Sequence, residues 1–264
     1  MTLLNDVLLG VIEGVTEFLP ISSTGHLIIA ENWLGPRSDT YNIVIQSGAI
    51  LAVTLIYWRR ILDLLTGWNN PETRDYLIKV IVAFLITAVL GLVVKKLGFE
   101  LPTSVTPVAI ALMIGGVWML AAEAFAGRLP DSAKITLRVA IAVGLAQLVA
   151  AVFPGTSRSA LTIFAAMLLG TTNRAAATDF AFLVGIPTMY AASLYQLYSQ
   201  AKHGTLQGEW VSLGVAFLAS MITAFIAVKW LLGYIRGHKF TAFAIYRILL
   251  GGALLAMSVM GLIG

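Results

Sequence analysis

Between Glu13 and His26 the chain crowds two carboxylates, four hydroxyls and an imidazole into one stretch, Glu13-Gly14-Val15-Thr16-Glu17-Phe18-Leu19-Pro20-Ile21-Ser22-Ser23-Thr24-Gly25-His26. Glu13 and Glu17 stand four residues apart and so share one helix face, where like charges repel unless they share a proton or bind a cation. Hard oxygen ligands of this kind suit Mg²⁺ or Ca²⁺, so a divalent cation is the expected cofactor, with Glu13 and Glu17 as its ligands. In the loop that follows, Ser22, Ser23 and Thr24 are either caps of the next helix or include a nucleophile, and both can hold at once. His26, three residues beyond Ser23, is a candidate general acid or base, whereas His203 and His238 fall in predicted surface loops.

A second polar stretch, Pro154-Gly155-Thr156-Ser157-Arg158-Ser159, runs into Ala160-Leu161-Thr162-Ile163. Glycine, hydroxyls and free N–H groups at a helix start make an anion site, and the Arg158 guanidinium adds a planar fork matching phosphate oxygens. Gly155, Thr156, Ser157, Arg158 and Ser159 are therefore candidate phosphate-binding residues. Gln46, beside Ser47 and Gly48, and Gln147 are polar groups that could line the same cavity or bond helix to helix.

These groups must be positioned in lipid. Of 264 residues, 59% are hydrophobic and only 11% charged, far from the soluble norm. Six stretches meet the requirement of about 17 to 25 residues for crossing a bilayer, approximately Tyr41–Trp58, Tyr76–Val94, Pro107–Phe125, Asp179–Tyr198, Trp210–Leu232 and Ala242–Gly261. Two further apolar segments are broken in the middle, Leu3–Leu34 at Pro20–Gly25 and Ile135–Leu169 at Pro154–Ser159. Exposed backbone is costly in hydrocarbon, so each break is expected to be buried in protein or to line a wet cavity, as a re-entrant helix-loop-helix.

The breaks also align at a constant offset: Gly10, Glu13, Glu17, Pro20, Ser22, Ser23 and Thr24 fall opposite Gly144, Gln147, Ala151, Pro154, Thr156, Ser157 and Arg158. The expected fold is an all-α polytopic membrane protein. One membrane domain, residues 1–264, would hold six spanning helices and two re-entrant hairpins in two inverted repeats, 1–126 and 131–264. Such repeats place a site where their broken helices meet.

Lys and Arg are distributed unevenly about this topology. Arg59, Arg60, Arg74, Lys79, Arg128, Lys134, Arg138, Arg174, Lys229, Arg236, Lys239 and Arg247 fall on one side, and Arg37, Lys95, Lys96 and Lys202 on the other. The heavy side is expected to be cytoplasmic, leaving both termini and the mouth of the first hairpin outside. The net charge of +4 comes from short clusters rather than a continuous stripe, so nucleic acid is not an expected partner. The absence of cysteine excludes disulfides, thiolate catalysis and Cys-ligated metal. The first nine residues lack a basic region and carry Asp6, unlike a cleavable signal peptide.

The pattern Glu13-Gly14-x-Thr16-Glu17-Phe18-Leu19-Pro20-x-Ser22-Ser23-Thr24-Gly25-His26-Leu27, with Pro154–Ser159 downstream and Phe243-Ala244-Ile245-Tyr246-Arg247 near the end, closely resembles the undecaprenyl-diphosphatase family, also called bacitracin resistance proteins. The resemblance covers essentially the whole chain. It implies hydrolysis of a polyprenyl diphosphate, undecaprenyl diphosphate, to the monophosphate with a divalent cation; with the charge asymmetry above, the site is expected at the bacterial cell (inner) membrane, facing the periplasm or exterior. By position it implicates Glu13, Glu17, Ser23, Thr24, His26, Ser157 and Arg158.

Within that reading Ser23 attacks the terminal phosphorus after losing its proton toward His26 or Glu17, and Thr24, Gln46 and the Arg158 loop hold the phosphate. A metal-activated water or attack by His26 stays open as the alternative. A second copy of the chain is a candidate partner. Lipid phosphatases related to phosphatidic acid phosphatase also use Ser-Gly-His and Ser-Arg elements, but they need a further histidine after the Ser-Arg, and Ser159–Leu169 has none. The rival from another class is a lipid-phosphate transporter, since inverted repeats with broken helices serve alternating access.

Overall fold

The computed structural model describes residues 2–98, 104–204 and 209–263. Among these the chain forms ten α-helices: α1 (Leu3–Thr16), α2 (Ser23–Leu34), α3 (Asp39–Thr66), α4 (Pro71–Lys96), α5 (Val105–Ala126), α6 (Leu137–Val152), α7 (Arg158–Leu168), α8 (Arg174–Lys202), α9 (Trp210–Tyr234) and α10 (Thr241–Val259). Six of them, α3, α4, α5, α8, α9 and α10, are long and apolar enough to cross a membrane. The protein is an all-helical polytopic membrane protein, with α3, α4 and α8 extending past the predicted spans at both ends.

Local signals account for those extensions. Ser38 caps α3 by accepting from the Tyr41 amide at 3.2 Å. Asn70 caps α4 by accepting from Glu72 and Thr73 at 2.9 and 3.3 Å, with Pro71 at its first position. Glu72 then sits in the first turn of α4 and Lys95 and Lys96 in the last, matching the helix dipole at both ends. Leu85, Val89 and Leu92 of the same helix point outward, as a lipid-facing helix requires.

Interior contacts rely on small residues, because lipid tails give no hydrophobic drive for helices to associate. α1 lies along α9 and α6 along α4. A Cβ on Gly10 would fall 2.4 Å from the Ala216 carbonyl oxygen of α9, and one on Gly144 would fall 2.7 Å from that of Ala83 on α4. The packing pattern recurs: α3 also meets α9 while α8 meets α4, α5 pairs with α10, and α3 with α8.

Four helices, α1, α2, α6 and α7, have 14, 12, 16 and 11 residues and meet at the two predicted breaks. Just before α2 and before α7 the backbone takes a left-handed conformation, with φ +72° at Ser22 and +67° at Ser157. These are the only non-glycine residues with positive φ among those described, and this geometry is uncommon outside glycine. The register of the loops therefore differs from the constant offset: Ser22 corresponds to Ser157, and Ser23 to Arg158. The second loop has one more residue between its proline and its helix.

The structure departs from two further expectations. Ser22 occupies the N-cap position of α2 but its side chain makes no capping hydrogen bond. Arg247 was counted as a topology signal, yet it is fully buried, since its guanidinium is taken up by backbone carbonyls inside the bundle.

Candidate active site

The two loops touch. Glu17 follows the last residue of α1, and its Oε1 accepts from Arg158 Nη2 at the start of α7, forming a salt bridge, and from Gln46 Nε2 of α3 at 3.4 Å. Its Oε2 accepts from the Ser23 hydroxyl at 2.5 Å. Ser159 donates to the Leu19 carbonyl at 3.0 Å, which ties the second loop to the first by another bond. One carboxylate thus gathers a hydroxyl, an amide and a guanidinium from three separate parts of the chain.

Glu13, one turn before Glu17, is 2% exposed and lies within electrostatic reach of Glu17 and Arg158. Its Oε2 is buried without a hydrogen-bond partner. A buried carboxylate oxygen left unsatisfied is costly, and beside a second carboxylate it is the donor set a hard cation takes. Among the described residues no third His, Asp or Glu joins the pair. That fits Mg²⁺ chemistry, in which one or two carboxylates are supplemented by water and substrate phosphate oxygens.

Arg158 is bound to Glu17 rather than poised alone, and the space about the pair is small, about 10 Å³ among Glu17, Phe18, Arg158, Ser159, Thr162 and, on α8, Ala181, Phe182, Gly185 and Met189. A larger cavity, about 730 Å³ and lined by Tyr57, Arg60, Tyr76, Lys134 and Asp179 among others, contains no residue of either loop. Volume and chemistry therefore point to different places, and the converging side chains decide for the smaller one.

Of the predicted site residues, Glu13, Glu17, Ser23, Gln46, Arg158 and Ser159 come together. Ser157 lies beside them, with its Oγ 3.1 Å from that of Ser159 and accepting from the Ala160 amide at 3.4 Å. Thr156 turns back to the Phe153 carbonyl, at 2.7 Å. Thr24 is exposed. Gln147 binds Thr87 and Thr188 at 3.0 and 3.4 Å, the helix-to-helix alternative for that residue. His26 makes no hydrogen bond to Ser23: its Nδ1 lies 2.7 Å from the Ser22 carbonyl oxygen and its Nε2 2.7 Å from the Tyr246 hydroxyl.

Sequence reasoning did not assign a site function to Tyr246 or to Arg247. Arg247 donates to the Gly155 carbonyl at 3.0 Å and to that of Ala111 at 3.4 Å, so it holds the second loop at a residue with φ +92°. The available signal was an arginine in the body of an apolar helix, a functional candidate by the cost of charge in lipid.

Residues 6–253 match the family described as bacitracin resistance protein BacA. The chain is 69% identical over 264 residues to a protein of Rhizobium etli named undecaprenyl-diphosphatase, with both chains covered completely. A protein of Xanthomonas euvesicatoria with the same name is 62% identical over 254 residues, 96% of each chain.

Proposed function

The chain belongs to the bacitracin resistance protein BacA family, and from that membership and the two-loop site we propose that it is an undecaprenyl-diphosphatase. It would hydrolyse undecaprenyl diphosphate to undecaprenyl phosphate and inorganic phosphate, returning the cell-wall carrier lipid. The observation that carries this reading is the convergence of Ser23 and Arg158 on Glu17, because it sets a nucleophile, a base and a phosphate fork in contact.

In the mechanism, Arg158 leaves Glu17 for the terminal phosphate, assisted by Ser157 and Ser159. Ser23 Oγ then attacks the terminal phosphorus, its proton passes to Glu17 Oε2, and the bond from that phosphorus to the bridging oxygen breaks, releasing undecaprenyl phosphate. Water next attacks the phosphoserine, and Ser23 recovers a proton from Glu17 as inorganic phosphate leaves. Glu17 rather than His26 is the base for Ser23, since the hydroxyl already donates to it. Glu13 and Glu17 would hold the divalent cation, which when bound supplies charge neutralisation at the phosphate oxygens.

The placement of the site follows the same reading. The exchange of partners between α1·α9 and α6·α4, and between α3·α9 and α8·α4, supports two related repeats, 1–126 and 131–264, with α1–α2 and α6–α7 as re-entrant hairpins. Without Arg247 the Lys and Arg asymmetry still favours a cytoplasmic face opposite the first hairpin, which supports a site facing the periplasm or exterior of a bacterial cell membrane.

Purified protein supplied with Mg²⁺ is expected to turn over long-chain and shorter prenyl diphosphates, and exhaustive chelation is expected to bring the rate to background. Turnover undiminished by chelation would remove the cation from Glu13 and Glu17.

A further inference from the structure

The hydrogen bonds about His26 assign the positions of its protons. A carbonyl oxygen can only accept, so Nδ1 must carry the hydrogen shared with Ser22 O. Both partners of the ring are neutral oxygens, and a neutral imidazole has one N–H, so Nε2 presents a bare lone pair and the Tyr246 hydroxyl is the donor to it. The two ring planes lie within 6° of each other, which lets a phenolic O–H, lying in its ring plane, point along the in-plane lone pair of Nε2.

This arrangement reaches the nucleophile by a short path. Ser22, whose carbonyl His26 holds, is the residue with φ +72° and directly precedes Ser23. A left-handed conformation of a residue with a side chain persists only where its surroundings impose it. His26 supplies one such constraint, and Tyr246, reaching across from α10, fixes the ring that supplies it. The neighbouring Arg247 meanwhile binds the Gly155 carbonyl of the other loop, so two consecutive residues of α10 support both halves of the site.

We propose that Tyr246 is a positioning residue for the reaction: by donating to His26 Nε2 it locks the ring as the Nδ1–H tautomer, holds the Ser22 carbonyl, and so aims Ser23 at the phosphorus while keeping the imidazole off its hydroxyl. The effect on turnover rests on the phosphatase reading; the hydrogen-bond assignment does not. Tyr246 is 43% exposed, and Tyr246→Phe keeps the ring while removing only the donor.

The test is ¹⁵N NMR of histidine-labelled protein, which contains three histidines, with the His26 signals identified by their loss in His26→Gln. The wild-type protein is expected to show a protonated Nδ1 and a bare Nε2 accepting a hydrogen bond. In Tyr246→Phe the Nε2 resonance is expected to move toward that of an unbonded nitrogen, and kcat to fall at least about tenfold with KM nearly unchanged, the signature of an interaction serving the chemical step. A protonated Nε2 in the wild type, an unmoved Nε2 resonance in Tyr246→Phe, or an unchanged kcat would each overturn the proposal. If the wild-type protein released no phosphate, the phosphatase reading would fall and the resonances would still decide the hydrogen-bond assignment.

Discussion

Ser23→Ala is expected to lower kcat by at least about a thousandfold, the scale on which loss of a covalent nucleophile is felt, while binding of a polyprenyl diphosphate persists. The hydroxyl is the only group removed. Glu17 keeps its bonds to Arg158 and Gln46, so the pocket stays assembled and only the attacking atom is missing. Ser22→Ala is expected to be far milder, because that side chain makes no capping bond and what matters at position 22 is its backbone. Steady-state kinetics together with equilibrium binding of a non-hydrolysable phosphonate analogue separate the two effects. Appreciable multiple turnover by Ser23→Ala would eliminate serine as the nucleophile in favour of a water or His26.

Arg158→Lys is expected to cost about as much, roughly a thousandfold, a magnitude typical of an arginine that stabilises phosphoryl transfer. Charge is retained, so a purely electrostatic or topological function would survive the change. Bidentate geometry would not survive it. A lysine ammonium is a compact point charge that cannot reproduce a planar fork on two phosphate oxygens. The resting salt bridge makes the substitution more damaging still: Arg158 has to exchange Glu17 for phosphate, and a strongly hydrated ammonium alters both sides of that exchange. Turnover within a few-fold of wild type would make Arg158 a structural partner of Glu17 alone. Anion binding by Arg158→Lys can be followed separately through inhibition by inorganic phosphate, which is expected to weaken in parallel with kcat.

Much of this site was legible in the sequence because lipid makes polar residues conspicuous. A carboxylate, an arginine or a Pro-Gly break in an apolar chain has few ordinary explanations, so Glu13, Glu17, Ser23 and Arg158 could be singled out before any coordinates. The six spans followed from hydropathy for the same reason. Less legible were features that depend on which side chain faces which neighbour. Nothing in the spacing of Ser23 and His26 revealed that the imidazole turns to Tyr246, more than two hundred residues away, rather than to the serine. Arg247 read as one more cytoplasmic arginine because a charge buried against backbone carbonyls looks, in sequence, the same as one at a helix end. The loop register differs from the constant offset for a different reason: the second loop has one more residue between its proline and its helix, so its left-handed residue is Ser157 and not Thr156.

Gly10, Gly14 and Gly144 show what lay between these extremes. Gly10 and Gly144 were matched in the aligned breaks and Gly14 was not, yet for all three the reason for glycine lies in the partner helix: a Cβ at Gly14 would fall 2.1 Å from Thr223 Oγ1 and 2.3 Å from the Ser220 carbonyl oxygen. That close approach of α1 to α9 sets where Glu13 and Glu17 emerge into the site.

Hydrolysis at the two-loop site is separated most directly from lipid translocation by measuring phosphate released from purified protein in detergent micelles, where there are no leaflets to cross. With undecaprenyl diphosphate and Mg²⁺, one inorganic phosphate is expected for every undecaprenyl phosphate formed, and neither product from the Ser23→Ala protein. Lipid that binds tightly but is recovered intact as the diphosphate, with no phosphate released, would contradict the enzyme assignment and leave a lipid-phosphate transporter in its place.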